Sequence, residues 1–208
     1  MLSAGKRAIE QNMDARRDDL NDKGYSSRDI EEIINKERKS AQMELYDDVY
    51  GKVDEQCVRV LNRYLEYFSE ENWNKMNADE RKDALNTLAI SSGDAFRTEI
   101  KGARFYEGSR SNRGYYNGDG YLYLNQDVLS NPSNRIDALD TIFHEGRHAF
   151  QIAAVEDHVS CSVDEAKAIS WENNFPPNYI RQSPHYFTQP IEADAYSFAE
   201  DILKGGEF

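Results

Sequence analysis

The first hundred residues contain no proline, and their apolar positions recur at intervals of three and four. That spacing gathers apolar side chains on one helical face, with charged residues between them, so the segment predicts amphipathic helices. The longest stripe runs through Tyr46, Val49, Tyr50, Val53, Cys57, Val60, Leu61, Tyr64 and Phe68 and is expected to face a core. Gly24 followed by Ser26 and Ser27 marks a boundary, and Asn77 with Glu80 three residues on has the form of a capping box. At least three helices are expected before residue 100.

The period changes between residues 101 and 131, where Gly, Asn, Ser and Tyr crowd the chain. The run NGDG at Asn117–Gly120 is a turn signal, and YLYLN after it alternates like a half-buried strand. A small antiparallel sheet of two or three strands is expected. Helical spacing returns after Pro132 and Ser133, placing Ile136, Leu139, Phe143, Gly146, Phe150 and Ala153 on one face. Gly146 is the odd member, because glycine inside a helix costs about 1 kcal/mol relative to alanine; close approach of another backbone would compensate. A short helix is expected near residues 163–172 and a last one from Pro190, a favourable first-turn residue. The fold class is α+β, mostly helical, with a helical extension over 1–68 and a second unit over 69–208.

Charge and composition narrow the partners. Lys and Arg number 25 against 38 Asp and Glu, a net charge of −13 that repels a phosphate backbone, so nucleic acid is not an expected partner. Cys57 and Cys161 stand alone, which leaves neither a cysteine metal knuckle nor a disulfide framework. No uncharged apolar run approaches the ~18 residues of a membrane span. No membrane partner is expected, and the chain reads as soluble, either cytoplasmic or delivered as part of a longer chain. The charged helices before residue 70 suit a protein partner.

The chemistry concentrates in TIFHEGRHAFQ, residues 141–151. His144 and His148 are four helical steps apart, about 40° around the axis, so both imidazoles can reach one ion. Glu145, about 100° from His144, can lean over the open side of that ion and take a proton from water. A catalytic zinc ion needs a third protein ligand. The HExxHxxGxxH continuation of the metzincins is absent, because position 151 is Gln and position 154 is Ala. The better source is a second helix, QPIEADAYSFAEDI, in which Ile191, Ala195, Phe198 and Ile202 form the core face and Glu192 lies on its edge. Glu165, Glu172, His158 and His185 compete for the same role.

The strand YLYLN, the run TIFHEGRHAFQ and the run HYFTQPIEADAYSFAE together resemble the gluzincin branch of the zincin metallopeptidases. More narrowly, they resemble the metallopeptidase domains at the C-termini of bacterial polymorphic toxins and of some phage-encoded proteins. The resemblance covers about residues 70–203. It implies a zinc-dependent peptidase acting on a protein or peptide, with His144, His148 and Glu192 as zinc ligands and Glu145 as general base. It further implies an oxyanion donor at Tyr186 or His185, with Tyr186 ranked first, and a substrate-pairing edge strand at Tyr121–Asn125. Gly146 would then lie on the face that packs against the sheet. Where some relatives carry an aspartate one turn after the glutamate ligand to orient a histidine, this chain has Tyr196, and Asp140 is the substitute on offer. The rival reading is a catalytically silent zincin scaffold, used as a binding or structural module in a phage or secretion setting.

Overall fold

The computed structural model describes residues 2–50, 53–109, 112–127, 131–181 and 185–205. Helices α1 (Leu2–Asp22), α2 (Ser27–Tyr50), α3 (Val53–Leu65), α4 (Glu70–Lys75) and α5 (Ala78–Phe96) come first. Strands β1 (Gly102–Tyr106), β2 (Gly114–Tyr116) and β3 (Tyr121–Asn125) follow. Helices α6 (Arg135–Glu156), α7 (Glu165–Glu172) and α8 (Pro190–Gly205) complete an α+β fold that is mostly helical. Among the described residues no helix is long and apolar enough to cross a membrane.

The boundary signals act as their chemistry requires. Gly24 turns the chain with a φ of 80°, and the Ser26 hydroxyl caps α2 by accepting from the Asp29 N–H. The Asn77 side chain accepts from the Asp79 and Glu80 amides while Glu80 accepts from the Asn77 N–H, a complete capping box. Such caps are worth about 1 kcal/mol each.

α1 and α2 pair as a hairpin around their own small core of Ile9, Met13, Leu20, Ile30 and Ile34. The main core is separate, and α3 belongs to it: Cys57, Leu61 and Leu65 are buried with Phe68, Trp73, Leu85, Leu88 and Phe96. The expected boundary at 68/69 therefore falls inside this packing. The side chains of Tyr46, Val49, Tyr50, Val53 and Val60 from the predicted stripe lie outside the described residues.

The sheet is mixed, not antiparallel as its turn signal suggests. β3 pairs antiparallel with β2 across the turn at Asn117–Gly120 and parallel with β1 on its other side. The alternation in β3 sends Leu122 and Leu124 into the core, and its tyrosines outward, where Tyr115 stacks on Tyr123 at 4.6 Å and Arg104 covers Tyr121 at 3.7 Å. β3 is thus the central strand, which corrects its expected place at the edge. The outer strand on the α6 side is β2.

α6 packs along both α5 and α8. Leu139, Ile142, Phe143 and Phe150 are buried, whereas Ile136, expected on the same face, is exposed in the first turn. Gly146 faces α5 rather than the sheet: a Cβ there would lie 2.9 Å from Phe96 Cε2. A ring, not a backbone, makes the close approach.

Candidate metal centre

The α6–α8 seam assembles the site. On α8, Ile191, Ala195, Phe198 and Ile202 fill the core as the helical period requires. Glu192, next to Ile191, is carried into the seam with 1% exposure, where α6 presents His144 and His148. His144 Nε2 lies 3.1 Å from His148 Nε2 and 3.2 Å from Glu192 Oε2, and His148 Nε2 lies 3.3 Å from Glu192 Oε1.

Those separations fit a cation. A tetrahedron with arms of about 2.0–2.1 Å, the usual span for nitrogen and carboxylate ligands, has edges of about 3.3–3.4 Å. Were these nitrogens both deprotonated, lone pairs of His144, His148 and Glu192 would face one another, so the arrangement requires positive charge among them, a proton or a cation. Glu192 Oε2 is buried with no hydrogen-bond partner, as is His144 Nδ1. The three residues can hold a metal ion.

Protonation follows the same logic. Burial disfavours the imidazolium of His148, yet the hydrogen bond to Glu192 and the charges of Glu145 and Glu192 outweigh it and raise the pKa to about 9. Burial likewise opposes ionisation of Glu192, but the imidazoles of His144 and His148 beside it hold it well below the usual carboxylate range. Tyr179 adds to that hold, donating from its hydroxyl to Glu192 Oε1 at 2.7 Å.

Beside the cluster opens a cleft of about 480 Å³, lined by Asn112, Arg113, Gly114, His144, Glu145 and Tyr186 among others. Glu145 is buried, and burial pushes its carboxyl pKa up against the pull of both histidines and a backbone hydrogen bond from Tyr116. Burial and its hydrogen bond with Tyr179 push the Tyr186 phenol up as well, so it stays protonated at neutral pH. Tyr196 lies against the His144 ring with centroids 4.3 Å apart.

His144, His148 and Glu192 therefore meet, and Glu145 and Tyr186 share the cleft beside them. The competing ligands do not join. Glu165 is exposed and paired with Lys39 at 2.9 Å, Glu172 is exposed at the end of α7, His158 bonds the Val163 carbonyl, and His185 is exposed. Asp140 lies in the cleft, but no hydrogen bond joins it to His144.

The sequence reading missed four contributors. Gln151 is three residues beyond His148, a spacing that brings helical neighbours together, and its Oε1 lies 2.8 Å from His148 Nδ1. Asp194 and Arg147 join at 2.7 Å beside it. Tyr179 comes from the loop before α8, which carries no periodicity to signal it. No family model, curated protein or solved structure matches the chain.

Proposed function

We propose that the chain is a zinc-dependent peptidase of the gluzincin type, acting on a protein or peptide substrate. The observation that carries this reading is the convergence of His144, His148 and Glu192 from two helices, with Glu145 in the adjoining cleft. The donor set, two imidazoles and one carboxylate, matches catalytic zinc sites, which keep a fourth position open. Bound there, zinc supplies Lewis acidity to a scissile carbonyl and acidity to a water.

The residues of the chain do the rest. Glu145, its basicity raised by burial, takes the proton from the attacking water and passes it to the leaving amine nitrogen. Tyr186, held protonated, turns its hydroxyl hydrogen from Tyr179 to the oxygen on which charge develops. β2, the outer strand beside α6, offers main-chain groups to an extended substrate.

Metal analysis after dialysis, paired with a peptide-library digest, tests the proposal. The expected result is a single zinc ion per chain and hydrolysis, with Glu145→Gln keeping the zinc and losing the cleavage. Cleavage unchanged in Glu145→Gln overturns the mechanism. Stoichiometric zinc without hydrolysis of any peptide favours the scaffold reading instead.

A further inference from the structure

We infer that Gln151 is a positioning residue that determines which nitrogen of His148 faces the metal, and that Asp194, with Arg147 and Lys167, determines how Gln151 is turned. The inference rests on the proposed metal site. It follows from counting donors and acceptors.

Asp194 is the starting point. Arg147 donates to it from Nε at 2.7 Å and from Nη2 at 3.2 Å, and Lys167 Nζ lies 3.0 Å from its Oδ1. With the Arg147 guanidinium bonded to both of its oxygens and the Lys167 ammonium against Oδ1, the group sits between two cations as a carboxylate. An ionised carboxylate only accepts. The Ile191 carbonyl also only accepts, and it belongs to the residue before Glu192.

Gln151 is fully buried and has one nitrogen between these acceptors: Nε2 lies 2.9 Å from Ile191 O and 2.9 Å from Asp194 Oδ2. Both amide protons are thereby committed. The amide cannot be flipped without setting an oxygen against two acceptors in a buried site, which leaves polar groups unpaired at about 1–3 kcal/mol each. Gln151 Oε1 must therefore be the atom 2.8 Å from His148 Nδ1. An oxygen that can only accept requires a proton on Nδ1. Nε2 is then the nitrogen that gives up its proton and presents its lone pair toward His144 and Glu192.

The chain of bonds spans the seam: Lys167 on α7 and Arg147 on α6 hold Asp194 on α8, and Asp194 and Ile191 on α8 hold Gln151 on α6. Gln151 occupies the position where the metzincin pattern has a glycine. In this chain that position carries the group that sets a ligand.

The test compares zinc affinity, measured by competition with a chromogenic chelator, with the thermal midpoint of the metal-free protein. Gln151→Leu removes the acceptor for Nδ1–H and is expected to weaken zinc binding by about 10–100-fold. Gln151→Glu keeps an oxygen for Nδ1–H but sets a carboxylate against Asp194 and the Ile191 carbonyl. It is expected to lower the thermal midpoint at least as far as Gln151→Leu does while retaining zinc affinity. If Gln151→Glu does not fold, the double variant with Asp194→Asn, whose amide donates to the new carboxylate, takes its place. In the zinc-loaded wild type, NMR is expected to show a slowly exchanging His148 Nδ1 proton that Gln151→Leu loses. A purely structural glutamine would make affinity follow stability in every variant, and that result overturns the inference. His148→Ala separates the two levels. If it binds zinc like the wild type, the metal reading fails and this inference with it. If it loses zinc while Gln151→Leu does not, the inference alone falls.

Discussion

Tyr179 and Glu192 share a 2.7 Å hydrogen bond that joins an irregular loop to the buried carboxylate of α8. The same loop is closed at its base by the Gln189 side chain, whose Oε1 accepts from the Ile180 N–H while its Nε2 donates to the Ile180 carbonyl. The phenol is thus held from the loop side, and Glu192 from the helix side. Tyr179→Phe keeps the ring and removes the bond. Chelator competition is expected to show zinc affinity reduced by about tenfold or more, with the metal-free fold intact. Unaltered affinity would show that the histidines alone orient Glu192.

Gly114 is where β2 touches α6. A Cβ there would lie 2.5 Å from Thr141 Cγ2 and 2.6 Å from the Tyr123 carbonyl oxygen. That carbonyl belongs to the partner strand and cannot retreat without loosening the β2–β3 ladder. Gly114→Ala is expected to cost about 1–3 kcal/mol and to lower kcat/KM by displacing β2 from Glu145. Thermal denaturation and peptide kinetics measure both effects.

Gly146→Ala sets two effects against each other. Helix propensity favours alanine by about 1 kcal/mol, but the new methyl meets Phe96 at 2.9 Å, and Phe96 is itself packed between Phe150 and Phe198. A ring so enclosed has nowhere to go, so the clash is expected to win with a net loss of about 1–2 kcal/mol. A raised thermal midpoint would show that the ring yields.

Two truncations place the boundary of the main core. A chain starting at residue 51 loses the α1–α2 hairpin with its own core and the exposed Lys39–Glu165 pair, and is expected to fold cooperatively and bind zinc. A chain starting at residue 69 also loses Cys57, Leu61 and Leu65, which are buried in the main core, and is expected to be unfolded or aggregated. Circular dichroism and metal content distinguish the two.

Burial, aided by the nearby charge of Asp157, raises the Cys161 thiol to about 11 from an ordinary value near 9. The folded pKa lies above the unfolded one, so this contribution to stability is complete below pH 9 and is lost as pH rises through 11. Cys161→Ala is expected to flatten the alkaline fall in the thermal midpoint over that window. The native thiol is expected to react slowly with a disulfide reagent at pH 8.

Much of this was legible in the residues. The capping box at Asn77, the turn at Asn117–Gly120, the α7 and α8 segments and the core face of α8 all follow from local chemistry, and the structure has each of them. Placing Glu192 at the edge of its core face was enough to bring it to His144 and His148, because a packed helix pair leaves few other positions for an edge residue. What stayed hidden depends on partners distant in sequence. The parallel pairing of β1 with β3 has no turn to announce it, and the contact of Gly146 with Phe96 requires knowing that α5 lies there. Gln151 was visible as a departure from another pattern, but its role depends on Asp194 and Ile191, some 40 residues on.

The seam between α6 and α8 is an expensive way to join two helices. Leucines at Arg147, His148, Gln151, Glu192 and Asp194 would join them with less desolvation, since buried ion pairs rarely outperform well-packed apolar side chains of similar volume. The metal-free protein is therefore expected to sit below its attainable stability at this one place. If zinc occupies the cluster, part of the cohesion between the helices comes from outside the chain, and zinc supply becomes a control on the protein's persistence as well as on its chemistry.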